Sequence, residues 1–171
     1  MKFLYSFITL LGGVAAQGIF LDDLNQKISP QVTKLAEDVQ GFPESGLDGA
    51  LAVDSDAKDL VTILDSATEN ARGQGSYSQV TGVALTADIA PVVTTLDDLL
   101  SGLSAKKDDF NALTLPEGSL ILSDLQKLNQ STVDYANALV DAAPVLQVVA
   151  MIAIRDNIAA AFEQAIDAYT P

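Results

Sequence analysis

The residues able to carry a reaction are few, because the sequence holds neither cysteine nor histidine. Thiol nucleophiles, Ser–His dyads and the usual zinc sites are excluded with them. Carboxylates remain. Asp54-Ser55-Asp56, followed by Asp59 and Asp65, has the spacing of a calcium loop. Such a loop needs glycine at its sixth position and a bidentate glutamate at its twelfth. Those positions hold Asp59 and Asp65, with Lys58 among the would-be ligands. Acidic residues drawn to a helix N-terminus by the backbone dipole explain the run better. The pairs Asp22-Asp23, Asp97-Asp98 and Asp108-Asp109 would suit the acid and base of a glycosidase only if they faced each other, and adjacent helical positions do not. Gly73-Gln74-Gly75-Ser76-Tyr77 lacks the Gly-x-Ser-x-Gly order of a nucleophile elbow and follows no strand. No catalytic residue, metal site or cofactor is expected, which leaves binding.

The elements that must position a binding site are helical. Apolar residues recur at spacings of three and four through nearly the whole chain, and alternation of period two is rare. The spacing predicts five helices in a single antiparallel bundle, an all-α fold with an apolar core or tunnel. The first runs from about Leu21 to Gln40, with Pro30 either kinking it or opening a fresh start capped by Ser29. Residues 41–46 read as a loop, and the second helix covers about Asp54 to Arg72, with Leu60 and Leu64 inward. A third, about Thr86 to Ala112, places Pro91 in its first turn and Ile89, Val93, Leu96, Leu100 and Leu103 on one stripe. A fourth, Ser119 to Ala142, turns Leu125, Leu128, Tyr135 and Leu139 inward. Pro144 then opens the fifth with almost no loop, so the last two form a tight hairpin or one sharply bent rod. Val145 to Ile154 is apolar nearly all round, which predicts a helix enclosed by its neighbours or lining an apolar cavity.

Hydrophobic residues make up 49% of the chain and aromatics only 6%, so the core is aliphatic. Without disulfides, that core alone must hold the fold. The formal net charge of −14 argues against nucleic acid and anionic bilayers, both of which attract clustered Lys and Arg. The only adjacent basic pair, Lys106-Lys107, is followed at once by Asp108-Asp109.

Lys2, the apolar run Phe3 to Val14 and the small residues Val14-Ala15-Ala16 have the pattern of a secretory signal peptide. Cleavage after Ala16 divides the chain into a signal peptide, 1–16, and one helical domain, 17–171. The apolar run is too short for a transmembrane segment. The polar C-terminus, ending Asp167-Ala168-Tyr169-Thr170-Pro171, does not fit a glycolipid anchor. A secreted protein, extracellular or loosely associated with the cell wall, is expected. In that setting Asn129-Gln130-Ser131 is an N-glycosylation sequon beside the inward stripe, with Asn129 the acceptor.

An ordered set of segments carries a resemblance. Leu85-Thr86-Ala87-Asp88-Ile89-Ala90-Pro91-Val92-Val93 leads to Leu99-Leu100 and Lys106-Lys107-Asp108-Asp109-Phe110; Leu120-Ile121-Leu122-Ser123-Asp124-Leu125-Gln126, Ala138-Leu139-Val140, Pro144 and Ala165-Ile166-Asp167-Ala168-Tyr169 follow. The set resembles the fungal hydrophobic surface-binding protein A family, which includes antigenic cell-wall galactomannoproteins. The chain lacks the Ser/Thr-rich tail and anchor signal of some wall-attached relatives.

The resemblance implies a secreted, non-catalytic helical bundle that binds fatty acids or related lipids in an apolar cavity, adsorbs to hydrophobic surfaces, or does both. The alternative it leaves is a cell-wall structural or antigenic protein that adsorbs to surfaces and recruits hydrolases without a specific ligand. If a lipid cavity lies between the helices, the inward stripes supply its walls: Leu64 from the second; Ile89, Val93, Leu96 and Leu100 from the third; Leu125, Leu128 and Leu139 from the fourth; Val145, Val149 and Ile152 from the fifth. Arg155 is the candidate to orient a carboxylate head group.

Overall fold

The computed structural model describes residues 18–113 and 120–170; the signal-peptide expectation, 1–16, lies outside them. Among the described residues there is no strand. A π-helical turn, Asp23–Ile28, runs into α1, Ser29–Gly41. Then come α2, Gly46–Gln74; α3, Gln79–Ala105; a short α4, Lys107–Ala112; α5, Leu120–Ala142; and α6, Val148–Tyr169.

The long helices form a closed ring: α1 packs on α2, α2 on α5, α5 on α6, α6 on α3, and α3 back on α1. Consecutive long helices alternate in direction. An odd-membered ring cannot alternate throughout, and side-chain contacts show the consequence. Asp65 with Ser131 aligns α2 and α5 in parallel, and Thr86–Gln147 with Tyr169–Leu103 aligns α3 and α6. Arg155 with Asn137 makes α5 and α6 antiparallel, so residues 143–147 form a hairpin, not the bend of one rod. One aliphatic core fills the ring, with Leu35, Leu60, Leu85, Leu99, Leu125 and Phe162 buried. Removing a side chain of this kind typically costs about 2–5 kcal/mol.

Several helix boundaries differ from the sequence expectation. Pro30 neither breaks the helix nor follows a Ser29 cap. Ser29 is itself helical (φ −58°, ψ −46°), and its N–H bonds Leu24 O five residues back. The wider π turn carries the chain helically into the proline, which stands at the start of the next α-helical register, where its missing N–H is tolerated.

α2 starts at Gly46, eight residues early, and α3 starts at Gln79, capped by the Ser78 hydroxyl accepting from Thr81 N at 3.2 Å. Pro91 is therefore interior to α3. It is exposed, as is Ala87 four residues before it, so the carbonyl it leaves unpaired faces water. The expected third helix also ends early, at Ala105, with α4 as a separate turn.

The largest departure concerns the segment from Val145 to Ile154. It is not enclosed: Val145 is 87% exposed, Leu146 81% and Val149 77%, while Met151 alone in the stretch is buried. The helix opens at Val148 and not at Pro144, so Val145 and Leu146 lie in the turn before α6, and Val149 is on the outer side of its first turn.

Candidate functional site

The ring closes around an apolar cavity of about 60 Å³. Every long helix contributes to its wall: Leu24, Ile28 and Val32 from the π turn and α1; Leu60 and Leu64 from α2; Ile89, Val92, Val93 and Leu96 from α3; Thr132, Tyr135, Ala136 and Leu139 from α5; Met151, Ile154 and Ile158 from α6. These are the inward positions of five amphipathic helices brought to one place. Val92, Val93 and Ile154 are only half-buried, so the thinnest part of the wall is the seam between α3 and α6.

The same seam continues as an open groove of about 660 Å³, bounded by Leu100, Ser101 and Ser104 of α3 and Ala160, Ala161 and Ala165 of α6. Leu96 belongs to the cavity and Asp97 to the groove, so the two lie end to end. Small side chains leave the seam unfilled there.

Leu64, Ile89, Val93, Leu96 and Leu139 are brought together in the cavity wall. Leu100, Leu125 and Leu128 are buried but elsewhere: Leu100 floors the groove, and Leu125 and Leu128 pack with Leu35, Val53 and Leu103 nearer the opposite end of the bundle. Ile152 is half-buried and does not line the cavity. Val145 and Val149, expected inside, face solvent. Val145 lies in the hairpin before α6, and α6 turns Met151, Ile154 and Ile158 inward in place of Val149, because a segment apolar on all sides carries no periodicity to say which side turns inward.

Arg155 is not aimed into the cavity. Its Nη2 lies 2.7 Å from Asp156 Oδ1 and its Nη1 3.2 Å from Asn137 Oδ1. Asn129 is half-buried in α5 with its Oδ1 buried and unpaired, and Ser131 of the sequon is buried on Asp65. Sequence reasoning placed Tyr135 on the inward stripe but missed that its hydroxyl is buried without a hydrogen-bond partner. A tyrosine on an otherwise aliphatic stripe was the available signal.

Charge is kept out of this region. Among the described residues no lining residue is ionisable except Tyr135, whose phenol is pushed up first by burial and then by the nearby Asp23 and Tyr77. Of the buried carboxylates, Asp23 stands near the Tyr135 phenol without lining the cavity, and Asp56 and Asp124 do not line it either. Asp56 accepts from Lys34 Nζ at 2.5 Å and Gln31 at 3.3 Å, and Asp54 is bridged by Lys58 at 2.7 Å. Among the described residues no group of three or more His, Cys, Asp or Glu is placed to hold a metal ion, and no helix is long and apolar enough to cross a membrane.

An apolar cavity walled by five helices, with no acid–base pair among the described residues that line it, suits retention of an apolar molecule. Residues 19–141 match the family of hydrophobic surface binding protein A. The chain belongs to that family.

Solved structures agree in fold. AFMP4P in complex with palmitic acid is 26% identical, with a TM-score of 0.82 over 90% of this chain and 99% of that one. Ligand binding domain 1 of Penicillium marneffei MP1 protein, complexed with arachidonic acids, is 18% identical, with a TM-score of 0.81 over 91% and 99%. Domain 2 of the same protein, complexed with multiple arachidonic acids, is 17% identical, with a TM-score of 0.78 over 90% and 95%. No curated protein matches the chain. The family and these neighbours are ligand-binding proteins.

Proposed function

We propose that this protein binds the acyl chain of a fatty acid or similar lipid in the cavity between its helices, as a secreted carrier that performs no catalysis. The observation that carries the reading is the cavity itself, to which all five ring helices turn apolar side chains. Its 60 Å³ corresponds to roughly four to six water-sized volumes, enough for a short stretch of chain. A longer chain has to part α3 from α6, where the wall is thinnest and the seam beyond is already open. Each methylene so buried contributes about 0.8 kcal/mol. An exposed ion pair contributes about 0–1 kcal/mol, so hydrocarbon and not charge sets the affinity.

The test is titration with saturated fatty acids of increasing length, below their micelle concentrations, at low and high salt. Affinity should rise with length until the seam is full and depend little on salt. Affinity that ignores length, or collapses with salt, contradicts the reading.

A second activity, adsorption to hydrophobic surfaces, is favoured by one end of the bundle. Val80 and Val83 of α3 are 79% and 57% exposed, beside Val145, Leu146 and Val149. Gln147 joins the two sets: Thr86 donates to its Oε1 at 3.4 Å, and its side chain lies against Gly82. The stretches 73–87 and 142–154 hold no charged residue, in a chain with 32. On a protein this acidic, an uncharged aliphatic end fits an uncharged apolar surface and not a basic partner. Residues 1–16 and the family support secretion and loose wall association; intact-mass measurement of protein from culture medium should show Gln17 at the N-terminus, and peptide mapping would show whether Asn129 carries a glycan.

A further inference from the structure

The polar half of the ligand is the open question, because the cavity has no cation to receive a carboxylate. Among the described residues, Thr132 and Tyr135 are the lining residues with a side-chain oxygen or nitrogen. Tyr135 is 6% exposed, and its hydroxyl has no partner. Buried hydroxyls are nearly always paired, and an unpaired one is costly. Tyr135 also lines the void, so a ligand that parts α3 from α6 brings the missing partner with it.

Asp23 and Tyr77, which act on that hydroxyl, are already committed, and so are charged groups elsewhere on the helices that wall the cavity. Asp23 of the π turn is buried and receives Lys27 at 2.6 Å on one oxygen and Asn70 at 2.9 Å on the other. Asp65 of α2 receives Ser131 at 2.7 Å, and Asp88 of α3 receives Asn25 at 2.8 Å. Arg155 of α6 is held by Asp156 and Asn137. The Tyr77 hydroxyl donates to Leu139 O at 3.1 Å. A carboxylate entering this site would lose its water, gain no cation and meet the negative field of Asp23, all of which favour its neutral form. The phenol itself stays protonated, since burial and Asp23 both hold its titration high, and it remains a donor.

We propose that the cavity takes its ligand with an uncharged head group, a protonated carboxylic acid or a fatty alcohol, to whose oxygen the Tyr135 hydroxyl donates a hydrogen bond. The proposal rests on the acyl-binding reading above and adds a head-group class to it. It makes the acid a ligand that is held in acid surroundings and released as pH rises, while an alcohol of equal length is held at either pH.

The experiment compares dodecanoic acid, dodecan-1-ol and dodecane on the full secreted protein and on Tyr135→Phe, each below its aggregation concentration. On the native protein, affinity for the acid should fall by about tenfold for each pH unit above its ordinary carboxyl range, and the alcohol's should change less than about twofold. The alcohol also controls for titration of the protein's own carboxylates. Tyr135→Phe should weaken acid and alcohol by about three- to tenfold, as loss of one hydrogen bond does, and leave dodecane unchanged. Acid binding that is equal at about pH 5 and pH 8, or a Tyr135→Phe effect of the same size on all three ligands, would overturn the assignment. If dodecane and the alcohol bind without such discrimination, the acyl cavity stands and only the head-group assignment falls. If none of the three binds, the cavity reading falls and takes the assignment with it.

Discussion

The two ends of the bundle are made of opposite materials. At the end where α1, α3 and α6 finish, Lys106 Nζ donates to the carbonyls of Val39 at 2.6 Å, Gln40 at 2.9 Å and Phe42, and Lys107 Nζ donates to Ala168 O. Phe42 and Phe110 stack there with centroids 3.9 Å apart, and the Tyr169 hydroxyl donates to Leu103 O at 2.7 Å. Three helix C-termini are thus clamped by charge-assisted bonds and aromatic packing, where cations also oppose the helix dipoles. At the other end, two uncharged stretches present Val80, Val83, Val145, Leu146 and Val149 to solvent, and the cavity lies toward that half. On the proposed reading, the pinned end holds the bundle together while the α3–α6 seam parts to admit the chain. That is what a carrier that swallows a chain longer than its resting cavity requires.

The comparison breaks first at the clamp. Lys106→Met removes the donor shared by three carbonyls, and hydrogen bonds to a charged group contribute about 1.5–3 kcal/mol each at best. A destabilisation of about 2–3 kcal/mol is expected by urea unfolding, against less than about 0.5 kcal/mol for Leu146→Gln at the exposed end. Equal losses at the two ends would erase the distinction.

Acid–base behaviour gives the next effect. Burial, and then the charge and hydrogen bond of Asp54, push Asp124 up to about 7; a hydrogen bond with Asp56, and then burial, push Asp38 up to about 6. Both carboxyls keep in the folded state a proton that the unfolded chain gives up. Their contribution is complete below the ordinary carboxyl range and is lost as pH rises through about 6 and 7. Asp56 is the reverse. Burial raises its pKa, but the bonds from Asp38, Lys34 and Gln31 outweigh burial and lower it, so its contribution fades on strong acidification. Stability should peak near pH 4 and fall toward pH 8 by on the order of 2 kcal/mol, with most of the loss between about pH 4 and 7. Asp124→Asn should flatten the alkaline side. Thermal unfolding across pH checks this, and a protein most stable at pH 8 would refute it.

At the apolar end the expected effect is smaller and confined to surfaces. Val80→Gln with Leu146→Gln should reduce adsorption to phosphatidylcholine vesicles by about tenfold, from the apolar area lost, without moving the unfolding midpoint. Adsorption unchanged by the pair, or stronger on anionic vesicles, would deny that this end is the adsorbing face. Loss of a dimer in place of adsorption would reassign it to a second copy of the chain.

Much of this was legible in the sequence where periodicity was strong. The stripe Ile89, Val93, Leu96 and the inward Leu64 and Leu139 were read correctly as interior, and they meet in one cavity. Reading failed where the pattern carried no phase. Val145 to Ile154 is apolar on every side, so nothing distinguished the buried Met151 from the exposed Val149. The helix starts at Gly46 and Gln79 were missed because their first turns expose Leu47, Leu51, Val80 and Val83 in place of polar residues. Arg155 was chosen as a head-group partner by its charge alone, and only coordinates show that charge already taken by Asp156. The unpaired hydroxyl of Tyr135 is a property of a packed interior, and no spacing rule encodes it.

The central claim is that an acyl chain sits inside the helical ring, and native mass spectrometry of the purified secreted protein tests it most directly. A species heavier than the polypeptide by one or a small whole number of lipids should be seen, stripped by delipidation, restored by added fatty acid, and absent in Val93→Trp, which fills the seam. A bare polypeptide mass that added fatty acid never shifts, or lipid adducts that grow without saturating and ignore the Val93 substitution, would contradict it.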